Sequence, residues 1–329
     1  MNKYQELQEQ IDNASNIVIS THVSPDGDAI GSSLGLYHYL KNQGKSVTAV
    51  VPNEFPEFLK WMPDSDTIIV YQNNEEQASE ITAKADLIFC LDYNEPHRTA
   101  MFANTLVASK AYKVLIDHHI GEPTWQNLSF CVVGASSTAE LIFDTIVGLS
   151  NTDQITNEIA QCLYTGLLTD TGNFQYSATT PKVHQIAAVL LEKGVQPDII
   201  NNHINNSFNE DRLKFFGFCV SKKMKYIEEK RLAYMLISKA EINKYNLGVG
   251  GTEGLVNEPM KMSNVDISIL FKQDKDKIKI SFRSKLDIDI STFASTYFEG
   301  GGHKNASGGV SYLSLEDTEK KLLLLLNKI

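Results

Sequence analysis

Short apolar runs separated by stretches of helical period fill the first two thirds of the chain. Residues 17–21, 46–51, 87–91 and 113–116 read as β-rich, buried segments. Helical stretches follow at 29–42, which Asp28 is placed to cap and Gly44 to stop, and at 138–148, 157–168 and 181–193. This alternation predicts an α/β fold whose N-terminal domain is a doubly wound, mostly parallel sheet. From residue 226 the pattern changes. Residues 231–237, 265–271 and 277–283 read as strands, the last two joined by the charged turn QDKDK. A smaller C-terminal α+β domain is expected, with boundaries at 1–190, a helical linker over 191–225, and 226–329. A chain of 329 residues suits about two domains.

The apolar runs end on chemistry. His22-Val23-Ser24-Pro25-Asp26-Gly27-Asp28 follows the first, Asp92 closes the third, and Asp117-His118-His119 follows Val114-Leu115-Ile116. Asp170 ends the helical run before Thr171-Gly172. Each has a plain structural account taken singly: a turn residue, a helix cap, a loop aspartate, a surface histidine pair, a helix end. Yet a carboxylate placed directly after five apolar residues is costly unless solvated, paired or metal-bound. An aspartate at a helix C-terminus also opposes the macrodipole.

Folding of a parallel sheet can bring such strand ends to one edge. Asp26, Asp28, Asp92 and Asp170 then balance two divalent cations, and neutral His22 and His118 complete the donor set. Two cations about 3.5 to 4 Å apart can clamp a phosphoryl group during in-line displacement. The carboxylate-rich, thiolate-free set favours Mn2+, with Mg2+ as the alternative.

Composition narrows the substrates. The net charge of -10 is opposite to the basic stripe of a protein that tracks a long nucleic acid, so a polyanionic substrate has to be short. Cys90, Cys131, Cys162 and Cys219 are far apart without a CxxC, as in a reducing compartment. No apolar run approaches the roughly 18 to 20 residues of a membrane span, and the polar N-terminus lacks a signal pattern, so a cytoplasmic protein with no membrane partner is expected.

HVSPDGD, LIFCLDYN, VLIDHHIG and LLTDTGNF, in that order, resemble the four motifs of the DHH phosphoesterase superfamily. GGGHKNASGG at 300–309 resembles the signature of the DHH-associated C-terminal domain. The similarity covers nearly the whole chain and is greatest to the branch of bifunctional oligoribonucleases and pAp phosphatases, pAp being 3'-phosphoadenosine 5'-phosphate. It implies His22 and Asp26 on one metal, Asp28, His118 and Asp170 on the other, and Asp92 bridging. It further implies that Asp117 orients the histidine pair and that His119 faces the scissile phosphate. Arg98 matches an arginine common in the superfamily, with a surface role as its alternative.

In the second domain, Gly300, Gly301, Gly302 and His303 are expected to expose consecutive backbone N–H groups to a phosphate, or else to form a flexible turn. Arg283 offers a planar charged fork to phosphate, or is an exposed strand-end residue. The expected activity is hydrolysis of short oligoribonucleotides (nanoRNA) to mononucleotides and removal of the 3'-phosphate from pAp, with linear dinucleotides also accepted and a homodimer possible. The nearest rival is a cyclic or linear dinucleotide phosphodiesterase. A non-catalytic nucleotide-binding module is a further alternative, which would show no metal-dependent turnover.

Overall fold

The computed structural model describes residues 2–329, which divide into two compact units, one reaching to Ser207 and the other running from Phe208 to Ile329. In the first unit the strands are β1 (Asn16–Ser20), β2 (Ser46–Val51), β3 (Ile69–Val70), β4 (Leu87–Leu91), β5 (Tyr112–Asp117) and β6 (Leu128–Cys131). Its helices are α1 (Lys3–Asn13), α2 (Gly27–Asn42), α3 (Glu75–Ala83), α4 (Ala103–Ala108), α5 (Thr138–Leu149), α6 (Asn157–Asp170), α7 (Pro181–Glu192) and α8 (Pro197–Asn205). The six strands pair in parallel in the order β3-β2-β1-β4-β5-β6. All five residues of β4 are buried, as befits a central strand covered by helices on both faces.

The chain leaves β1 toward one edge and returns at β4 toward the other. The order therefore reverses between these two neighbours, and a crevice opens at their carboxyl ends, the usual ligand position of an open α/β sheet. Helix α2 is buried on every side from Gly27 to Leu40 and lies against α6. Glycine allows this contact: a Cβ on Gly31 would come within 2.5 Å of the Cys162 carbonyl oxygen, and one on Gly166 within 2.9 Å of an Asp28 carboxylate oxygen. The close approach puts the start of α2 beside the end of α6.

The second unit contains β7 (Met224–Ile227), β8 (Leu232–Ile237), β9 (Ile267–Asp274), β10 (Lys277–Ser284), β11 (Gly301–His303) and β12 (Ala306–Ser311), with α9 (Glu210–Phe218), α10 (Lys239–Lys244), α11 (Ile290–Tyr297) and α12 (Leu315–Leu325). Its strand order is β11-β12-β10-β9-β8-β7, antiparallel except for β8 with β9. Alternate residues of β9 and β10, among them Ile269, Phe271, Ile280 and Phe282, form a core with Phe293, Phe298 and Leu322.

The segment 191–225, expected as a linker, holds α8 and α9 and is divided between the units at Ser207 and Phe208. The glycine run is not a loop: Gly301–His303 is an edge strand in register with Ser307 and its neighbours on β12. Gly302, at φ 142°, could not carry a side chain without strain, because a Cβ there would meet the Ala306 oxygen at 2.7 Å. Among the described residues, no helix is long and apolar enough to cross a membrane.

Candidate metal centre

All four motifs of the first unit meet at the crevice between β1 and β4. After β1 the chain turns through Ser24 in a left-handed conformation (φ 57°). Two backbone bonds hold this turn, Ser24 N–H donating to the Asn53 side-chain oxygen at 2.6 Å and Val23 N–H to the Arg98 carbonyl at 2.8 Å. Asp26 then caps α2, one carboxylate oxygen accepting from the N–H groups of Asp28 and Ala29. The cap is thus Asp26, not Asp28 as the helical period suggested. Asp28 is drawn elsewhere: its two oxygens accept from the Thr138 and Ala139 N–H groups at 2.6 and 2.8 Å, at the positive end of α5.

Asp92 sits in the middle. It is buried and has a left-handed backbone (φ 66°), a conformation that costs on the order of 1 to 3 kcal/mol and gathers at functional sites. Its two carboxylate oxygens face different neighbours. Oδ2 lies 3.3 Å from His22 Nε2, which is 3.8 Å from Asp26. Oδ1 lies 3.4 Å from His118 Nε2, which is in turn 3.3 Å from Asp170 and 3.9 Å from Asp28. Both imidazoles turn Nδ1 to a backbone carbonyl, of Val23 for His22 and of Ala135 for His118. That orientation leaves Nε2 of each ring toward the carboxylates, as metal-binding histidines are usually held.

Asp117 ends β5, and one of its oxygens takes a 2.7 Å hydrogen bond from His119 Nδ1 while the other is buried without a hydrogen-bond partner. His119 Nδ1 is also 3.7 Å from Asp92. The sequence reading missed Thr138, fully buried, whose hydroxyl donates to Asp92 Oδ1 at 2.9 Å while its N–H serves Asp28. Its signal was present in Ser137-Thr138-Ala139-Glu140, a helix-start pattern in which Ser137 accepts from the Glu140 N–H. Asn53, two residues past β2, had no such signal.

Crowded carboxylates strain the site electrostatically. Burial, then the charges of Asp92 and Asp170, push the Asp28 carboxyl well above its ordinary range. Burial also pushes Asp170 up to about 7, with Asp26 and Asp92 adding to the effect against His118. Burial opposes a charged imidazole at His22, but the hydrogen bond to Asp92 and the charges of Asp26 and Asp92 outweigh it and hold the ring up to about 9, against the nearby Arg98. His118 is pushed up to about 11 against its own burial, chiefly by Asp92. Asp92 is held well below the usual range despite burial, by hydrogen bonds from His118 and His22. Positive charge at the imidazoles, from a proton or a bound cation, relieves this crowding.

The donors form overlapping groups able to hold a cation: His22, Asp26 and Asp92; Asp28, Asp92 and His118; and Asp92, Asp117 and His119. Imidazole nitrogens and carboxylate oxygens without thiolate suit a hard to borderline divalent ion. Helix α6 ends on Asp170, a negative charge unfavourable to the helix macrodipole. The second-unit residues expected at the site, Arg283, Gly301, Gly302 and His303, lie on β10 and β11, with Arg283 and His303 both in register with Ala306 of β12.

Residues 16–167 match the model of the DHH family, N-terminal domain, and residues 231–329 that of the DHHA1 domain. The bifunctional oligoribonuclease and PAP phosphatase NrnA of Thermus thermophilus is 30% identical over 310 residues, covering 93% of this chain and 88% of that protein. The chain belongs to the DHH family. It is a phosphoesterase of that family, a hydrolase with buried histidine and aspartate clusters suited to divalent cations. NrnA of Bacillus subtilis is 27% identical over 303 residues, covering 90% of this chain and 89% of its own. The crystal structure of an exopolyphosphatase-related protein from Bacteroides fragilis superposes with a TM-score of 0.93 at 39% identity, covering 99% of this chain and 96% of that one. RecJ of Thermus thermophilus in complex with Mn2+ shares the fold at 12% identity and a TM-score of 0.56, over 99% of this chain and 54% of its own.

Proposed function

We propose that this DHH phosphoesterase hydrolyses short oligoribonucleotides to mononucleotides and removes the 3'-phosphate from pAp, using two divalent cations, with Mn2+ preferred over Mg2+. The observation that carries the reading is Asp92, whose two oxygens face separate imidazoles, His22 at 3.3 Å and His118 at 3.4 Å, each of which has further carboxylates beside it. In this assignment His22 and Asp26 would hold one cation and Asp28, His118 and Asp170 the other, with Asp92 placed to serve both. Bound there, the cations would supply Lewis-acid activation of water and neutralise the non-bridging phosphoryl oxygens.

The protein's own groups do the positioning. The α5 N-terminus fixes Asp28, and the Thr138 hydroxyl fixes one oxygen of Asp92. Asp117 engages His119 Nδ1, so Nε2 of that ring is the atom presented to the scissile phosphate. Arg98, whose carbonyl tethers the loop of His22, brings a guanidinium near enough to oppose charge on that imidazole. It is assigned to the phosphoryl oxygens, which a planar fork suits. Arg283, Gly301, Gly302 and His303 are assigned to the terminal phosphate and base of the substrate.

Two NrnA relatives at 27% and 30% identity over most of their length support the substrate class. The rival reading, a cyclic or linear dinucleotide phosphodiesterase, is supported by 24% identity to the cyclic-di-AMP phosphodiesterase GdpP of Bacillus subtilis, over 96% of this chain but 48% of that protein. Product analysis on a 5'-labelled dinucleotide, pAp and a cyclic dinucleotide in parallel, with manganese or with chelator, separates the two. Turnover of the linear dinucleotide and pAp is expected only with metal. Preferential cleavage of the cyclic substrate would transfer the case to the rival.

A further inference from the structure

The face of the second sheet opposite its aromatic core carries cations that the catalytic reading does not use. Side chains of Lys272 and Lys279 stand directly opposite each other on β9 and β10, an arrangement that like charges disfavour. Lys279 has a carboxylate, Asp274, at 3.0 Å. Lys272 has none within 4.0 Å. Its largely buried ammonium donates to the Thr252 hydroxyl at 3.0 Å, and burial first, then Lys279, pull its pKa below the ordinary lysine range against the opposing charges of Asp274 and Glu253.

Four residues along β10 on the same face is Arg283, whose Nε is buried without a hydrogen-bond partner. Ser268, across from it on β9, is fully buried with an equally unpartnered hydroxyl. Between the two cationic positions the sheet has a floor of small residues toward β12 and β11, Ser281 opposite Gly308 and Gly308 opposite Gly301, while toward β9 Ser281 faces buried Leu270. Buried ammonium and guanidinium groups lacking acids lower stability unless something else satisfies them. At about 3.3 Å per residue, Lys279 and Arg283 are roughly 13 Å apart along the strand, too far to share one phosphate.

We propose that Lys272 and Lys279 form a second phosphate subsite, which grips the backbone of a short oligoribonucleotide one or more nucleotides beyond the phosphate assigned to Arg283. This rests on the oligoribonuclease reading and deepens it by giving longer fragments a contact that a dinucleotide is too short to reach. Against an overall charge of -10, two facing lysines that share the single ion-paired carboxylate of Asp274 are a local positive site selective for a short polyanion.

The test compares kcat/KM of the manganese-loaded full chain on a penta-adenylate and a di-adenylate, for the native protein, Lys272→Met and Lys279→Ala. The pentamer-to-dimer ratio should fall about tenfold in each variant, through KM, and the salt dependence on the pentamer should flatten by about 0.7 in log–log slope per lysine. Lys272→Met should also raise Tm by a few degrees, since an apolar side chain replaces an incompletely satisfied ammonium. A ratio unchanged in both variants, or a Lys272→Met protein that melts lower, overturns the subsite while native turnover of both substrates leaves the oligoribonuclease reading standing. Native protein inactive on both would instead sink that reading, and the subsite with it.

Discussion

The two units carry opposite electrostatic problems. In the first, Asp26, Asp28, Asp92 and Asp170 crowd the crevice beyond β1 and β4, and imidazoles hold extra protons to balance them. In the second, Lys272 and Arg283 are drawn into a sheet face where neither forms an ion pair with a carboxylate. On the function proposed above, one region receives cations and the other anions. Both depart from what stability alone would select, and such departures mark the places where sequence serves function.

The contrast breaks most sharply at Asp92. Asp92→Ala removes the carboxylate both clusters share, and metal-dependent turnover should fall by more than the hundred- to thousandfold that losing one preorganised electrostatic group costs. Arg283→Ala in the cationic region should act chiefly on KM. Steady-state kinetics on pAp with manganese checks both. Equal losses of kcat in the two variants would erase the distinction between a metal-holding and a substrate-holding region.

Thr138→Val tests a neutral support of the acidic cluster. It deletes one hydroxyl bond to Asp92 and leaves the backbone bond to Asp28. Supporting groups of this kind are commonly worth ten- to a hundredfold in metal affinity, so a manganese titration by calorimetry should show a loss in that range, with Thr138→Ser restoring it. Unaltered affinity would reduce Thr138 to a helix-start residue.

Proton linkage distinguishes the cluster by sign. His22, held up to about 9, contributes stability to the metal-free protein that is fully present below its unfolded value near 6.5 and lost as pH rises through 9. Asp170, held up to about 7 by burial, also makes the metal-free fold less stable as pH rises toward 7. Cations must displace these protons, so metal affinity should move the other way and increase between pH 6 and 9. The Tm of chelated protein should therefore fall over this range while the shift on adding manganese grows. Parallel trends would mean that the histidines are not ligands.

Much of this was legible in the chain because parallel strands end abruptly and their chemistry follows at once. The runs at 46–51 and 87–91 coincide with β2 and β4, and Asp92 and Asp117-His118-His119 stand where the sheet stops. What escaped was short or polar. β3 has two residues, too few for a period, and α1 buries only Leu7 and Ile11 beneath a polar surface. The glycine run, read as an anion-binding concavity or else a flexible turn, gave no strand signal because Gly301–His303 is stabilised by pairing with β12 rather than by its own propensity. Ser137-Thr138-Ala139-Glu140 marks a helix start, but the bonds through which Thr138 and Asn53 act reach residues 46 and 29 positions away, and no local pattern encodes those partners.

Asn53 gives the smallest effect and the finest test of the acidic region. Its amide oxygen receives the Ser24 N–H at 2.6 Å and so helps hold a non-glycine residue in a left-handed turn, from which His22 and Asp26 reach toward Asp92. Asn53→Ala removes that acceptor at an exposed position, where water can replace it, so the fold should lose little. One hydrogen bond of this sort is worth about 1 kcal/mol, or roughly fivefold in an equilibrium. The deficit should appear in manganese affinity, because the loop then samples conformations in which His22 and Asp26 no longer face Asp92 together. Asn53→Asp, which keeps an acceptor oxygen, should recover most of it. A variant that melts several degrees lower yet binds manganese normally would assign Asn53 to the scaffold and leave the loop's geometry to Pro25 and the Asp26 cap.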